Sequence, residues 1–139
     1  MGTLLDTGFL YGLKDESDPH HERSLELLNT LPWKELSPII TPTLVINETY
    51  TLLMYRSKGN KALVKKLDEL CWGDECFFRI VNIPTSEYQK IVAIMTKYAS
   101  PKKLLSFVDA SVIYLAQNKN YKQVISFDAH FDGIIPRIC

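Results

Sequence analysis

Cysteine, net charge and long apolar runs are what this 139-residue chain lacks, and each shortage removes a class of protein. Cys71, Cys76 and Cys139 are too few and too irregular for a disulfide framework, and the first two do not form a close CxxC pair. His20, His21 and His130 have no spacing that would complete a zinc site with them. No apolar run reaches the roughly 18 residues of a membrane span, and the opening MGTLLDTGFLYG lacks the basic start of a secretory signal. The expectation is therefore a cytosolic protein that makes no use of a membrane.

Charge is absent only in the sum. The chain has 16 basic and 16 acidic residues, which argues against a protein held to nucleic acid by its overall field. A nuclease stays open, because acidic metal ligands offset basic substrate contacts. Basic residues gather locally in two groups: Arg56, Lys58, Lys61, Lys65 and Lys66, and then Lys97, Lys102 and Lys103. Each is either a phosphate-facing patch or a solvated face.

With 46% hydrophobic and 23% charged residues the chain reads as one ordinary globular domain over 1–139. No repeat, low-complexity segment or long linker interrupts it. The pattern predicts a short buried strand over 2–6 and a turn or short helix through Phe9, Leu10 and Leu13. After the DESDPHHE break, Pro19 fits the start of a helix through Leu25, Leu27 and Leu28, and PWKELSP separates it from a strand at Ile39–Thr41. Thr43 reads as the N-cap of a helix over 44–56. Gly59 ends it, and a second helix spans 61–71. A strand over 77–83, a helix to about Lys97, a helix over 107–118, a strand over 123–127 and a terminal strand near 134–138 complete the pattern. Helices alternating with short apolar strands favour an α/β sandwich with a mainly parallel sheet, whose ligands gather beyond the carboxyl ends of its strands.

Four carboxylates stand where apolar side chains would pack better: Asp6 in LLDTGFLYGL, Glu48 in LVINETYTLL, Asp109 in SFVDASVIYLA and Asp128 in VISFDAHF. Asp6 and Asp128 fall at predicted strand ends. Glu48 shares a helix face with Leu44, Leu52 and, approximately, Tyr55. Asp109 lies in the first turn of its helix, where a structural cap is as good an explanation as a ligand when it is taken alone. Acids that converge raise one another's pKa unless a cation neutralises them. An oxygen-rich set suits one or two Mg²⁺ or Mn²⁺ ions better than zinc. Metal-assisted hydrolysis of a phosphodiester by activated water follows, with no need of a serine, cysteine or histidine nucleophile, for which no triad spacing exists.

The same segments resemble the PIN-domain ribonucleases, most closely the VapC-type toxins of toxin–antitoxin pairs. The similarity runs from LLDTGFLYGLKDESDPHHERS through TPTLVINETYTLLM and LLSFVDASVIYLAQNKN to VISFDAHFDG. It implies a three-layer α/β/α sandwich and a Mg²⁺- or Mn²⁺-dependent endoribonuclease. It also implies that Asp6, Glu48 and Asp109 hold the principal ion while Asp128 supports it directly or through water. An RNA substrate, a small antitoxin partner and a homodimer are implied in the same way. Thr7 lies beside the first acid, and Ser126 occupies the position before FD where the family often carries Thr or Ser; either hydroxyl is placed to orient an acid or a water, with ordinary strand-end capping as the alternative for Ser126. His130 assists proton transfer, contacts phosphate or serves local structure, and Asp18 and His21 resemble a recurring DxxH stretch that also reads as helix initiation and local hydrogen bonding. Neither belongs to the proposed catalytic set.

Choice of RNA is less visible. Tyr11, Tyr50, Tyr55 and Tyr98 stack on bases if exposed and otherwise pack. Leu52, Leu53 and Met54 are contact surface or core. Other readings are a solitary RNA-processing or decay nuclease and an inactive PIN-like interaction module. A haloacid dehalogenase-like phosphatase would want a second Asp at position 8, where this chain has Gly8. A receiver-like domain would want clustered early acids and a strand-end lysine.

Overall fold

The computed structural model describes residues 2–139. Five strands form one sheet: β1 (Thr3–Leu5), β2 (Ile39–Pro42), β3 (Arg79–Val81), β4 (Gln123–Ile125) and β5 (Arg137–Ile138), in the order β3-β2-β1-β4-β5. All four pairings are parallel, with Leu4 opposite both Ile40 and Val124. β1 and the inner residues of β2 and β4 are buried, as a central parallel strand covered on both faces must be.

The helices are α1 (Thr7–Lys14), α2 (His21–Thr30), α3 (Trp33–Leu36), α4 (Thr43–Ser57), α5 (Lys61–Cys71), α6 (Tyr88–Tyr98) and α7 (Phe107–Asn118). From β1 to β3 the chain steps one way across the sheet, and from β3 to β4 it crosses back. Right-handed crossovers then put α1 to α5 on one face and α6 and α7 on the other. The packing agrees: α1 lies against α2, α4 and α5, and α6 against α7. The fold is thus an α/β sandwich around a parallel sheet. Helix α7 is buried over its whole run from Asp109 to Ala116, so it shows an almost continuous apolar sequence instead of one apolar stripe.

Several predicted boundaries move, each for a local reason. Thr43 is not a cap, because its Oγ1 donates to the Val81 carbonyl at 3.1 Å and α4 starts at Thr43 itself. α2 begins at His21, two residues after Pro19: the Asp18 carboxylate accepts from the His20 N–H and the Asp18 carbonyl from that of His21, closing a turn first. The terminal strand shrinks to Arg137–Ile138 because the N–H groups of Ile134 and Ile135 are committed to the Phe131 carbonyl. Strands predicted over 2–6, 77–83 and 123–127 shorten to Thr3–Leu5, Arg79–Val81 and Gln123–Ile125. PWKELSP is not wholly irregular but contains α3. At the end of α4, Lys58 takes a left-handed conformation (φ 54°) and Gly59 follows at φ 75°, so the break lies where glycine marked it.

Candidate metal centre

Between β1 and β4 the chain reverses the direction in which it adds strands. At such a switch point the connections leave in opposite directions and open a crevice at the carboxyl ends. Asp6 follows β1 directly, its N–H donating to the Ile125 carbonyl of β4 at 3.1 Å. Across the crevice Ser126 follows β4 and Asp128 lies two residues on. Glu48 comes from α4 and Asp109 from the first turn of α7. All four line one cavity of about 300 Å³, together with Thr7 and Gly8. Its remaining wall is Asp18, His20, Leu52, Arg56 and Phe127.

Each strand-end and α7 acid is anchored by one oxygen. Ser126 Oγ donates to Asp6 Oδ2 at 2.7 Å and accepts from the Asp128 N–H at 3.0 Å. Asp109 is the third helical residue in a capping box: its N–H donates to Ser106 Oγ at 3.0 Å while its Oδ2 accepts from the Ser106 N–H at 3.3 Å. Capping and cavity-lining were alternatives in the sequence; Asp109 does both. Asp128 Oδ1 accepts from the His130 N–H at 2.8 Å. These hydrogen bonds hold the carboxylate rotamers in place at the cavity.

The electrostatics of this cavity disfavour three of its charges. Burial pushes Asp6 up to about 6, against the opposing hydrogen bonds from Ser126 and Thr7 and with the charges of Asp109 and Asp128 adding to the rise. Glu48 rises to about 7, again chiefly through desolvation and then through Asp6 and Asp109. Asp109 is raised by burial too, the Ser106 hydrogen bond opposing it. A divalent cation reverses all three effects at once.

Two buried polar atoms at the same place have no hydrogen bond of good geometry: Thr7 Oγ1 and His130 Nδ1. Thr7 Oγ1 is near enough to Glu48 to lower its pKa without an aligned bond. His130 Nδ1 is 3.2 Å from Asp128 Oδ1 and 3.8 Å from Asp109 Oδ2. Asp109, Asp128 and His130 each offer a ligand atom, and the three atoms lie within 4.8 Å of one another. The residues present fit a hard divalent cation: carboxylate oxygens predominate, and the unpartnered atoms are donors that an ion or its water would occupy.

His130 thus lies beside the acids although sequence reasoning left it out of the set; its signal was the FDAHF segment, two residues past Asp128. Arg56, a member of the first basic cluster, is the one Lys or Arg on the cavity wall among the described residues. The helix stripe from Glu48 and Leu52 leads at spacing four to Arg56, not to Tyr55, which is 82% exposed and outside the cavity. Among the other tyrosines, Tyr11 is buried at 1% exposure and packs. Leu53 is core, Leu52 lines the cavity and Met54 is exposed.

A larger cavity of about 490 Å³ lies between α2, α3 and the end of α5, lined by Leu25, Leu28, Trp33, Leu70 and Phe77. Among the described residues its one carboxylate, Glu75, is paired with Lys14, and no cluster able to hold a cation gathers there. Among the described residues no helix is long and apolar enough to cross a membrane.

A parallel α/β sandwich with a candidate metal cluster at its carboxyl edge supports, as a class, a metal-dependent nuclease. The PIN domain matches residues 3–134, and the chain belongs to the PIN domain family. Three solved structures share the fold. VapC20 of Mycobacterium tuberculosis, described as a sarcin-ricin loop cleaving toxin, has a TM-score of 0.77 at 21% identity over 96% of this chain and 97% of its own. PAE2754 of Pyrobaculum aerophilum has a TM-score of 0.64 at 16% identity, over 99% of this chain and 89% of its own. FitAcB of Neisseria gonorrhoeae has 0.66 at 16%, over 99% and 96%. No curated protein matches the chain significantly.

Proposed function

We propose that this chain is a divalent-metal-dependent endoribonuclease that hydrolyses RNA phosphodiester bonds, and that it is the toxin of a toxin–antitoxin pair. The observation that carries the reading is the convergence of Asp6, Glu48, Asp109 and Asp128, from four separate segments, on one cavity where burial and mutual repulsion raise three of them. Asp6, Glu48 and Asp109 hold one or two Mg²⁺ or Mn²⁺ ions, with Asp128 supporting them directly or through water. When bound, the ion neutralises the acids, lowers the pKa of a water and offsets charge on the phosphate. The chain's own part is positioning: Ser126 and Ser106 fix Asp6 and Asp109, and Thr7 Oγ1 is free to orient a water. The likeness of fold to VapC20, a toxin that cleaves the sarcin-ricin loop, agrees with RNA as substrate. A small antitoxin covering the cavity, a homodimer and a cytosolic site of action belong to the same reading.

The test compares wild type with Asp6→Asn and Asp109→Asn on structured cellular RNAs, with Mg²⁺, Mn²⁺ and chelator arms. Divalent-dependent cutting with 5′-phosphate ends, lost in both folded variants, is the expected result. Retained cutting in either variant sinks the assigned site, and 2′,3′-cyclic phosphate ends sink water-mediated hydrolysis. Co-purification of the product of an adjacent short gene distinguishes a toxin from a solitary nuclease.

A further inference from the structure

The cavity wall also carries a stacked ring pair outside the four acids. The His20 and Phe127 rings are stacked, with centroids 4.2 Å apart and planes within 7°. Both line the acidic cavity; His20 is exposed and Phe127 half-buried. Phe127 covers one face of the imidazole, leaving the other for a planar ligand. Beside the stack, Arg56 Nη1 donates to Asp18 Oδ1 at 2.7 Å, and its guanidinium carbon stands 5.3 Å from the centre of the Tyr11 ring.

Asp18 joins the two parts. Its side chain is only 3% exposed, and its second oxygen, Oδ2, accepts from the His20 N–H at 3.0 Å. One buried carboxylate therefore sets both the backbone that carries the stacking ring and the guanidinium. The loop is pinned again by the adjacent His21, whose Nδ1 is 2.6 Å from the Gly12 carbonyl. The bond to Asp18 takes one of the five N–H donors of arginine, and the Arg56 side chain remains 52% exposed. A ring pair with a free face and a fork of unused donors, on the wall of a cavity that faces clustered acids, matches the two chemistries of one nucleotide: a flat base and a phosphate.

We infer that the His20–Phe127 stack is the platform for an unpaired RNA base next to the scissile phosphate, with Arg56, held by Asp18, contacting that nucleotide's phosphate. The inference rests on the endoribonuclease reading and narrows its substrate to RNA in which one nucleotide is unpaired and splayed out. Asp18 is a positioning residue, acting through His20 and Arg56.

The experiment uses the full chain and a short fluorescein-labelled single-stranded RNA. Binding is followed by anisotropy in Ca²⁺ and cleavage in Mg²⁺, for wild type, His20→Ala, His20→Phe and Arg56→Gln. Losing a base stack weakens binding by roughly tenfold. His20→Ala should show that loss and His20→Phe should regain it. In cleavage the loss falls on KM, with kcat near wild type, because a stack present in ground and transition states contributes uniform binding. An abasic nucleotide moved along the RNA should cost wild type the same factor at one position and cost His20→Ala nothing further there. Arg56→Gln should weaken intact and abasic RNA equally and reduce the salt dependence. Wild-type affinity in His20→Ala, or an abasic penalty unchanged by that substitution, overturns the platform while leaving the nuclease intact. A wild-type protein that neither binds nor cuts RNA overturns both.

Discussion

Ser126 and Asp6 come from opposite ends of the chain and meet through a 2.7 Å hydrogen bond in which the buried serine hydroxyl donates to Asp6 Oδ2. The β1–β4 pairing brings them side by side, since Leu5 lies opposite Ile125 and Asp6 and Ser126 are the residues that follow. Ser126 Oγ in turn accepts from the Asp128 N–H, so one hydroxyl bonds the carboxylate of one acid and the backbone of another.

Ser126→Ala should therefore do two things at once. It removes a bond to a charged acceptor and strands a backbone donor, which together cost about 2–4 kcal/mol of folding stability by denaturant unfolding. Because Ser126 is the largest influence holding the Asp6 pKa down, the Asp6 carboxyl should also titrate higher in the variant, as carbon-detected NMR would show. An unchanged Asp6 titration would mean that the hydroxyl does not steer this acid.

Stability without metal should fall as pH rises between about 4 and 7. Asp6 and Glu48 have folded pKa values of about 6 and about 7, above their unfolded values, so the folded state binds their protons more tightly. Their contribution is complete below about pH 4 and is lost as pH climbs through the folded values. For Asp6 the loss is on the order of a few kcal/mol. Asp15, where hydrogen bonds from Tyr11 and Ser17 outweigh desolvation, and Asp132, which accepts from Arg137, are lowered and work the other way. Both are unchanged in Asp6→Asn, so the difference between wild type and variant reports Asp6 together with its repulsion of Glu48. Parallel pH curves for the two would remove the buried charge from the account. Saturating Mg²⁺ should flatten the wild-type curve, because an ion holds the acids deprotonated.

The legible part of this fold was the part written in local pattern. Apolar runs ending in Asp6 and in Ser126-Phe127-Asp128 marked strand ends, and their parallel pairing placed them side by side. Glu48 could be oriented because a helix repeats its face every four residues, and that same rule, carried one step past Leu52, reaches Arg56. What sequence could not show was the partner of each polar group. Thr43 has the composition of a cap, but the β3 carbonyl of Val81 claims its hydroxyl. Tyr11 and Tyr55 look alike in the chain, and only packing separates a core ring from an exposed one. The His20–Phe127 stack joins residues more than a hundred positions apart and left no local trace.

Gly12 and Ser24 set how closely α1 approaches α2. A Cβ at Gly12 would collide with Ser24 Oγ and stand 3.3 Å from the His20 carbonyl. Gly12→Ala gains helix propensity worth about 1 kcal/mol but overpacks a contact, typically at about 1–3 kcal/mol, and the balance should be destabilising. Ser24 Oγ is itself buried without a hydrogen-bond partner. Ser24→Ala should hence be neutral or stabilising alone and should relieve part of the Gly12→Ala loss. Additive effects in that cycle would show that the two helices do not meet through this pair.

His130 should decide between metals more than between active and inactive protein. Its Nδ1 is buried without an aligned hydrogen bond, 3.2 Å from Asp128 Oδ1, and belongs to the cluster of Asp109 and Asp128. Imidazole nitrogen is a softer donor than carboxylate. Mg²⁺ keeps oxygen ligands and waters, whereas first-row transition ions accept nitrogen readily. Replacing His130 with alanine removes the nitrogen atom of this candidate cluster and leaves its oxygens, and the His130 backbone N–H continues to hold Asp128. In calorimetric titrations His130→Ala should bind Mn²⁺ several-fold more weakly while its affinity for Mg²⁺ stays near wild type. Equal losses for the two ions would instead make His130 a support for Asp128, because a misplaced carboxylate penalises both metals alike.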